Sequence, residues 1–203
     1  MLDLFGGSSG EQLAQAAYSP DYAERFATSD GYDSWKLERR QHFREQKSRS
    51  RDALARGDWD EALRLLEEKR PDLEKLCQDS ADRHIDLYRV RIVEQPLTPY
   101  IQWELHSLRL AAECGEKIRV IGPEHVEQFE QDGILPELLT VGADTVYEIC
   151  YDENGVSDGA IRFIDAEATA RCNKFMEGLY EVGEDLASFF EREVAQLEPP
   201  PAA

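Results

Sequence analysis

The chain has 203 residues, a length that favours one domain able to bury its own core without a metal or a disulfide. Hydrophobic residues make up 41% and charged residues 32%, a globular composition that excludes a collagenous chain. The formal net charge is −19, which argues against direct nucleic-acid binding and favours basic protein partners. No apolar run approaches the ~18 residues of a membrane span and no signal peptide is found, so we expect a cytoplasmic protein without membrane contact.

The sequence contains no motif for a metal or a cofactor. It has neither a P-loop nor a Rossmann glycine pattern, and its four histidines lack zinc-ligand spacing. The widely spaced cysteines favour four reduced thiols. They are Cys77, Cys114, Cys150 and Cys172. We therefore expect no cofactor, no structural metal and no catalytic residues, although the sequence leaves enzymatic activity open.

Residues 1–33 are predicted to form a flexible N-terminal arm, with a short helical stretch after a glycine-rich run. The run contains Gly6-x-Ser8-x-Gly10, which formally matches a nucleophile elbow. That elbow requires a preceding strand, a following helix and a distant Asp and His, whereas this run lies in a flexible stretch near the N-terminus, so we do not expect a catalytic serine.

Residues 34–84 are predicted to be helical. Ser34 can cap a first helix with a sparse apolar stripe, Gly57 ends it, and Asp58 can cap a second, which together predict a helical hairpin. Basic residues recur on one face of the first helix. They are Arg40, Arg44, Lys47 and Arg51. This basic face can contact phosphates or an acidic partner. It can instead dock on the protein's own acidic half or stay solvated, and the net charge favours these two alternatives.

Residues 85–197 are predicted to be an α/β core. The pattern indicates strands near residues 86–93 and 117–121, joined by a helix that Thr98 caps and Gly115 ends. This order predicts a βαβ unit with parallel strands.

Two further strands are predicted near residues 145–151 and 160–164, joined as a hairpin by a turn at Asn154-Gly155. Asp165 then caps one long helix to about Leu197, and residues 198–203 are expected to be a disordered tail. The fold class predicted is α+β or α/β, with the helical hairpin packed on a small mixed sheet.

The βαβ unit carries the densest set of functional side chains. The candidate contact residues for a ligand or partner are Arg89, Arg91, Tyr100, Trp103, Glu104 and Arg119. A helix that begins at the carboxyl end of a parallel strand is a common anion site, so this set can form a pocket for a phosphate-bearing or nucleotide-like ligand. The alternative is structural: Glu104 pairs with an arginine and Trp103 belongs to the core.

Two motifs resemble an uncharacterised actinobacterial (Streptomyces-type) family of domain-of-unknown-function proteins, often encoded near helix-turn-helix regulators. They are R-V-R-I-V-x-x-P-L-x-x-Y-x-x-W-E-L over residues 89–105 and A-x-x-G-E-x-I-R-V over residues 112–120. The resemblance covers about residues 34–175 and implies no catalytic residue.

Two functions are consistent with these observations. The first is a non-catalytic cytoplasmic regulatory or adaptor protein that acts through protein–protein contacts, with a basic helix-turn-helix regulator as the partner that the resemblance implies. The second is a small enzyme or sensor that binds a phosphate-bearing ligand at the βαβ unit. The sequence does not indicate an oligomeric state.

Overall fold

The computed structural model of the chain describes residues 3–44 and 48–200, and one mixed β-sheet forms its centre. The strands are β1 (Glu11–Leu13), β2 (Ser34–Glu38), β3 (Leu87–Ile92), β4 (Lys117–Ile121), β5 (Glu137–Val141), β6 (Thr145–Tyr151), β7 (Ser157–Ile164) and β8 (Glu184–Asp185). Across the described residues the sheet order is β1-β7-β6-β5-β2-β3-β4-β8, in which β2, β3 and β4 are parallel neighbours.

Helices cover both faces of the sheet. They are α1 (Gln15–Thr28), α2 (Arg49–Ala55), α3 (Trp59–Glu67), α4 (Arg70–Ala81), α5 (Pro99–Cys114), α6 (Ala166–Val182) and α7 (Leu186–Glu193), with 3-10 turns at Pro123–His125 and Glu127–Phe129. One face of the sheet packs against α1 and α5, and α5 is in turn covered by α2, α3 and α7. The other face packs against α6. The mixed α/β class predicted from the sequence is confirmed, although the sheet is larger than expected.

The βαβ unit is confirmed in detail. β3 and β4 are parallel, with Arg89 opposite Ile118, and α5 connects them. The Thr98 hydroxyl accepts a hydrogen bond from the Ile101 amide at 3.1 Å, which caps α5 at its N-terminus. Gly115 ends the helix with a φ of 123°, a conformation that a side chain would oppose.

The β6–β7 hairpin is also confirmed, with a loop over residues 152–156. Asp152 accepts hydrogen bonds from the amides of Asn154 and Val156, both at 2.9 Å, and so fixes the loop. Asp165 caps α6 as predicted by accepting from the amides of Glu167 and Ala168.

The prediction of a flexible arm over residues 1–33 is wrong for the residues described. β1 pairs with β7, so that Glu11 lies opposite Arg162, and α1 packs on the sheet through Phe26. The sequence pattern could not show this pairing because the partner strand lies some 150 residues further along the chain.

The predicted helix from Ser34 is also wrong, because Ser34–Glu38 is a central strand between β5 and β3. The basic helical face therefore does not form. Arg40 and Arg44 lie in the irregular segment after β2, Arg51 lies in α2, and Lys47 is outside the described residues. The second half of the hairpin is confirmed, since Asp58 accepts from the Glu61 amide and caps α3.

The long C-terminal helix is interrupted at Gly183 and forms α6, β8 and α7. A Cβ atom at Gly183 would lie 2.9 Å from Cβ of Arg119, so glycine allows β8 to pair with the edge of β4. Of the predicted disordered tail, residues 198–200 are described, and the Glu198 carbonyl accepts a hydrogen bond from Gln102 at 2.9 Å. Residues 201–203 are outside the described residues.

Candidate ligand-binding cleft

A cleft of about 410 Å³ opens on the sheet face that packs against α5. Side chains from β2 and β3 form its floor, α5 forms one wall, and the hairpin loop and the segment after β2 close the rim. The lining residues are Gln15, Lys36, Glu38, Phe43, Arg44, Arg89, Tyr100, Glu104, Ser107, Leu108, Tyr151, Gly155, Val156 and Ser157. The volume is at the small end of the range for sites that bind organic ligands.

The floor follows from strand alternation. Residues two apart in a strand share a face, and the parallel register places Lys36 beside Arg89 and Glu38 beside Arg91. One Glu38 oxygen contacts Lys36 Nζ at 2.6 Å, and the other accepts from Arg89 Nη1 at 2.8 Å. Although burial acts to raise it, Arg89 and Lys36 hold the pKa of Glu38 well below its usual range. Glu38 is therefore a buried carboxylate that is charged at neutral pH.

Two further ion pairs anchor the floor to α5 and to its C-terminal end. Arg89 also donates to both oxygens of Glu116, at 2.7 and 3.2 Å. Arg91 is 0% exposed and donates from two nitrogens to one oxygen of Glu104, at 2.9 and 2.7 Å. Burial raises the pKa of Glu104, and Arg91 acts against that rise. Two charge-assisted hydrogen bonds from a permanent cation favour the ionised carboxylate.

The walls are largely aromatic. The Phe43 ring lies 6.0 Å from the Tyr100 ring and 5.0 Å from the Tyr151 ring, and Leu108 extends the apolar surface. Burial raises the pKa of the Tyr151 hydroxyl, so this side chain is neutral at physiological pH. The cleft therefore combines ring surfaces with a charged floor.

Several hydrogen-bond donors around the cleft lack a full set of partners among the described residues. Over residues 3–44 and 48–200, neither the Arg44 guanidinium nor the Ser107 hydroxyl makes a hydrogen bond or an ion pair, and Lys36 makes one contact with its three donors. The Arg44 backbone amide donates to the Gly155 carbonyl at 2.8 Å, which fixes this segment against the hairpin loop.

Glu137, the first residue of β5, lies behind the floor and is 3% exposed. One of its oxygens accepts hydrogen bonds from the amides of Arg39 and Arg40, at 2.9 and 2.6 Å. The other oxygen is buried and has no hydrogen-bond partner within the described residues. Burial, and secondarily the charge of Glu38, raises the pKa of Glu137 to about 7.

The structure brings together three of the six candidate contact residues predicted from the sequence: Arg89, Tyr100 and Glu104 line the cleft. Arg91 lies beneath it in the ion pair with Glu104. Trp103 is 1% exposed and donates to the Ser50 hydroxyl at 2.8 Å, so it belongs to the core, as the structural alternative expected.

Arg119 is placed elsewhere, and its assignment to the same site is wrong. It points to the opposite sheet face, stacks over the Tyr180 ring at 4.8 Å and donates to the Gly183 carbonyl at 3.2 Å. Ile118 and Val120, its neighbours in β4, face the side of α5.

Sequence reasoning missed six residues that the argument about the site uses. They are Lys36, Glu38, Phe43, Ser107, Tyr151 and Glu137. The signal for the first two was the alternation of Trp35 and Leu37 with charged residues, which is a strand pattern.

The described part of the chain contains no group of three or more His, Cys, Asp or Glu side chains that could hold a metal ion. Its cysteines are all free. No helix among the described residues is both long and apolar enough to cross a membrane.

The fold and the site define a mixed α/β protein with a charged, aromatic-walled cleft on one sheet face. Residues 20–191 match the family described as a domain of unknown function (DUF6879), and the chain belongs to that family.

No curated protein matches the chain. Among solved structures it is similar to TrmBL2, described as an archaeal chromatin protein with a novel mode of DNA binding, at 10% identity and a TM-score of 0.42. That match covers 88% of this chain and 55% of the other, so this chain spans about half the length of TrmBL2. A likeness at this TM-score carries no argument about function.

Proposed function

We propose that this protein binds a small anionic ligand with a planar ring in the cleft, of the phosphate-bearing or nucleotide-like class. The observation that carries the proposal is the surplus of hydrogen-bond donors around the cleft. Arg44 and Ser107 have no partner among the described residues, while Glu38 and Glu104 are already engaged by cations. An incoming acceptor that carries negative charge would satisfy these donors.

The walls support a ring as the second part of the ligand. Phe43, Tyr100 and Tyr151 present aromatic surfaces at the same cleft that Arg44 and Ser107 line. Aromatic side chains stack on any nucleobase, which makes a nucleoside monophosphate a suitable chemical type for a first probe.

Isothermal titration calorimetry with adenosine 5′-monophosphate, adenosine and inorganic phosphate tests this proposal. We expect the monophosphate to bind more tightly than either fragment. Arg44→Ala should weaken its binding about tenfold or more, because a hydrogen bond to a charged group contributes roughly 1.5–3 kcal/mol. Arg109→Ala, on the exposed side of α5, is the matched control and should leave binding unchanged.

Two results would contradict the proposal. One is the absence of binding for all three compounds together with a broader set of aromatic carboxylates. The other is binding that Arg44→Ala and Ser107→Ala leave unaltered, which would place the ligand elsewhere.

The regulatory or adaptor role predicted from the sequence remains a prediction. The net charge of −19 favours a basic partner, such as the DNA-binding face of a helix-turn-helix regulator, and a bound ligand would then control that contact. The test is binding of a purified candidate regulator, measured with and without the monophosphate. Equal affinities with and without the monophosphate would show that ligand binding does not control the contact with the regulator.

A further inference from the structure

The floor of the cleft rests on a cluster of ionisable side chains from four elements and the end of α5. The members are Lys36, Arg89, Arg91, Glu38, Glu104, Glu116 and Glu137. Each of the three cations has a carboxylate partner in the cluster, whereas Glu137 has no cation in contact among the described residues. With all four carboxyl groups ionised the cluster carries a net negative charge, and with a proton on Glu137 it is neutral. A buried charge without a partner is costly, so this arrangement favours the proton.

The charged and titratable groups around Glu137 are set by the elements packed against it. In the antiparallel pairing of β2 and β5, Leu37 lies opposite Leu138, so the next pair is Glu38 and Glu137. Arg91 lies beside Glu38 on β3. Tyr151 faces it from β6, and Glu104 of α5 lies above Arg91.

The two arginines next in sequence turn their side chains away from Glu137. The Arg39 side chain pairs with Glu94 and Glu130, and the Arg40 side chain stacks over Tyr151 at 5.0 Å. Only their neutral backbone amides reach the Glu137 carboxyl. The charge of Glu38 opposes ionisation of Glu137, and Arg91, whose charge favours it, is committed to Glu104.

We propose that Glu137 is a proton-binding site coupled to the cleft, so that an anionic ligand binds together with a proton on this carboxyl. The inference rests on the proposed function, because it specifies how the same site is regulated. Glu38 links the proton site to the cleft, because it lines the cleft and also lies opposite Glu137. A ligand anion at the floor adds negative charge within roughly 10 Å of Glu137, which is expected to raise the pKa of Glu137 by on the order of one unit.

A structural link also connects Glu137 to the cleft. Glu137 holds the amides of Arg39 and Arg40, and four residues later the Arg44 amide is fixed to the hairpin loop. The carboxyl therefore anchors the segment that presents Phe43 and Arg44 to the ligand.

The experiment compares the full chain with Glu137→Gln, which keeps an acceptor for both amides but cannot ionise. Calorimetry with adenosine 5′-monophosphate between pH 6 and pH 8, in buffers of different ionisation enthalpy, counts the protons taken up on binding. We expect the natural chain to take up a fraction of a proton and to lose up to about tenfold in affinity as the pH rises. Glu137→Gln should bind with the affinity of the low-pH form, and the difference between the two proteins removes the titration of the probe itself.

Glu148→Gln is the matched control. Glu148 is a half-buried carboxyl on the opposite face of β6 whose pKa is also raised by burial, so its substitution should leave the proton uptake intact. Carbon-13 NMR of the glutamate carboxyls measures the proton site without any ligand, and the resonance absent from Glu137→Gln should titrate near neutral pH.

The outcomes separate the two proposals. Equal proton uptake by the natural chain and Glu137→Gln, or a Glu137 midpoint near the ordinary glutamate pKa of 4.5, overturns the inference while ligand binding stands. Absence of binding by every probe overturns the proposed function and the coupling with it. A Glu137 midpoint near neutral pH would then leave only an uncoupled proton site.

Discussion

Replacing Glu104 by leucine should destabilise the fold by about 3–5 kcal/mol, because it leaves a buried arginine without its counter-charge. Arg91 is 0% exposed and makes both of its ion-pairing hydrogen bonds to one Glu104 oxygen. The third nitrogen donates to the carbonyls of Glu38 and Ile92, at 3.1 and 2.9 Å. These bonds would hold the guanidinium in place after the substitution, so its charge could not move into solvent.

Urea unfolding at constant pH measures this cost through the midpoint and the slope of the transition. The single variants Glu104→Leu and Arg91→Met should each lose stability. The double variant removes both charges, and we expect it to recover at least about 2 kcal/mol relative to the sum of the single losses. Glu113→Gln is the matched control on the same helix, since its ion pairs with Arg70 and Arg109 are open to solvent and should each contribute only about 0–1 kcal/mol.

One result would refute this reasoning. If Glu104→Leu loses no more stability than Glu113→Gln, Arg91 does not depend on its carboxylate in the folded protein. The neutral charge balance assigned to the cluster beneath the cleft would then have no basis either.

Three further predictions concern the fold. Gly159→Ala should lower the free energy of unfolding by about 2 kcal/mol or more, because its Cβ would lie 2.0 Å from the Leu13 carbonyl oxygen at a φ of 106°. Gly178→Ala, in open space on α6, should instead raise it by about 0.5–1 kcal/mol, and thermal unfolding measures both changes. The folded-state pKa of Glu137 is raised from 4.5 to about 7, so its contribution to stability is fully present below pH 4.5 and is lost as the pH rises to about 7. Relative to Glu137→Gln, urea unfolding should show the natural chain losing about 3 kcal/mol over that interval; parallel pH profiles would contradict the pKa shift. EDTA should leave the melting temperature unchanged, and a drop of several degrees would reveal a metal site.

The elements that the sequence predicted well are those whose signals are local. Thr98 followed by proline marks the start of α5, Gly115 marks its end, and the β-rich runs on either side define two parallel strands. The hairpin loop and the Asp165 cap are equally local. In each case the residues that specify the structure lie within a few positions of it.

The elements that sequence reasoning missed depend on distant partners. β2 is a short central strand in which Glu38 pairs with Lys36 and with Arg89, and Arg89 is 51 residues beyond Glu38. The alternation of Trp35 and Leu37 with charged residues is a local strand signal, but over five residues it is too short to exclude a helix start. β1 and β8 are three and two residues long and exist through pairing with β7 and β4.

The candidate site shows the same difference between residues that local signals identify and residues that depend on distant partners. Arg89, Tyr100 and Glu104 could be grouped from the βαβ unit alone, because α5 starts where β3 ends. Arg119 could not be excluded, because the face that a strand residue occupies depends on which helix covers it. The contribution of Glu137 required the register of β2 against β5.

The order of the strands in the sheet has a consequence for synthesis on the ribosome. β1 leaves the ribosome first, but its partner β7 follows about 150 residues later, and β2 needs β3 on one side and β5 on the other. At roughly 5–20 residues per second, the nascent chain therefore exposes Leu13, Trp35 and Leu37 for on the order of ten seconds. Such non-local pairing slows folding, and during that interval the N-terminal strands are open to chaperones and to aggregation.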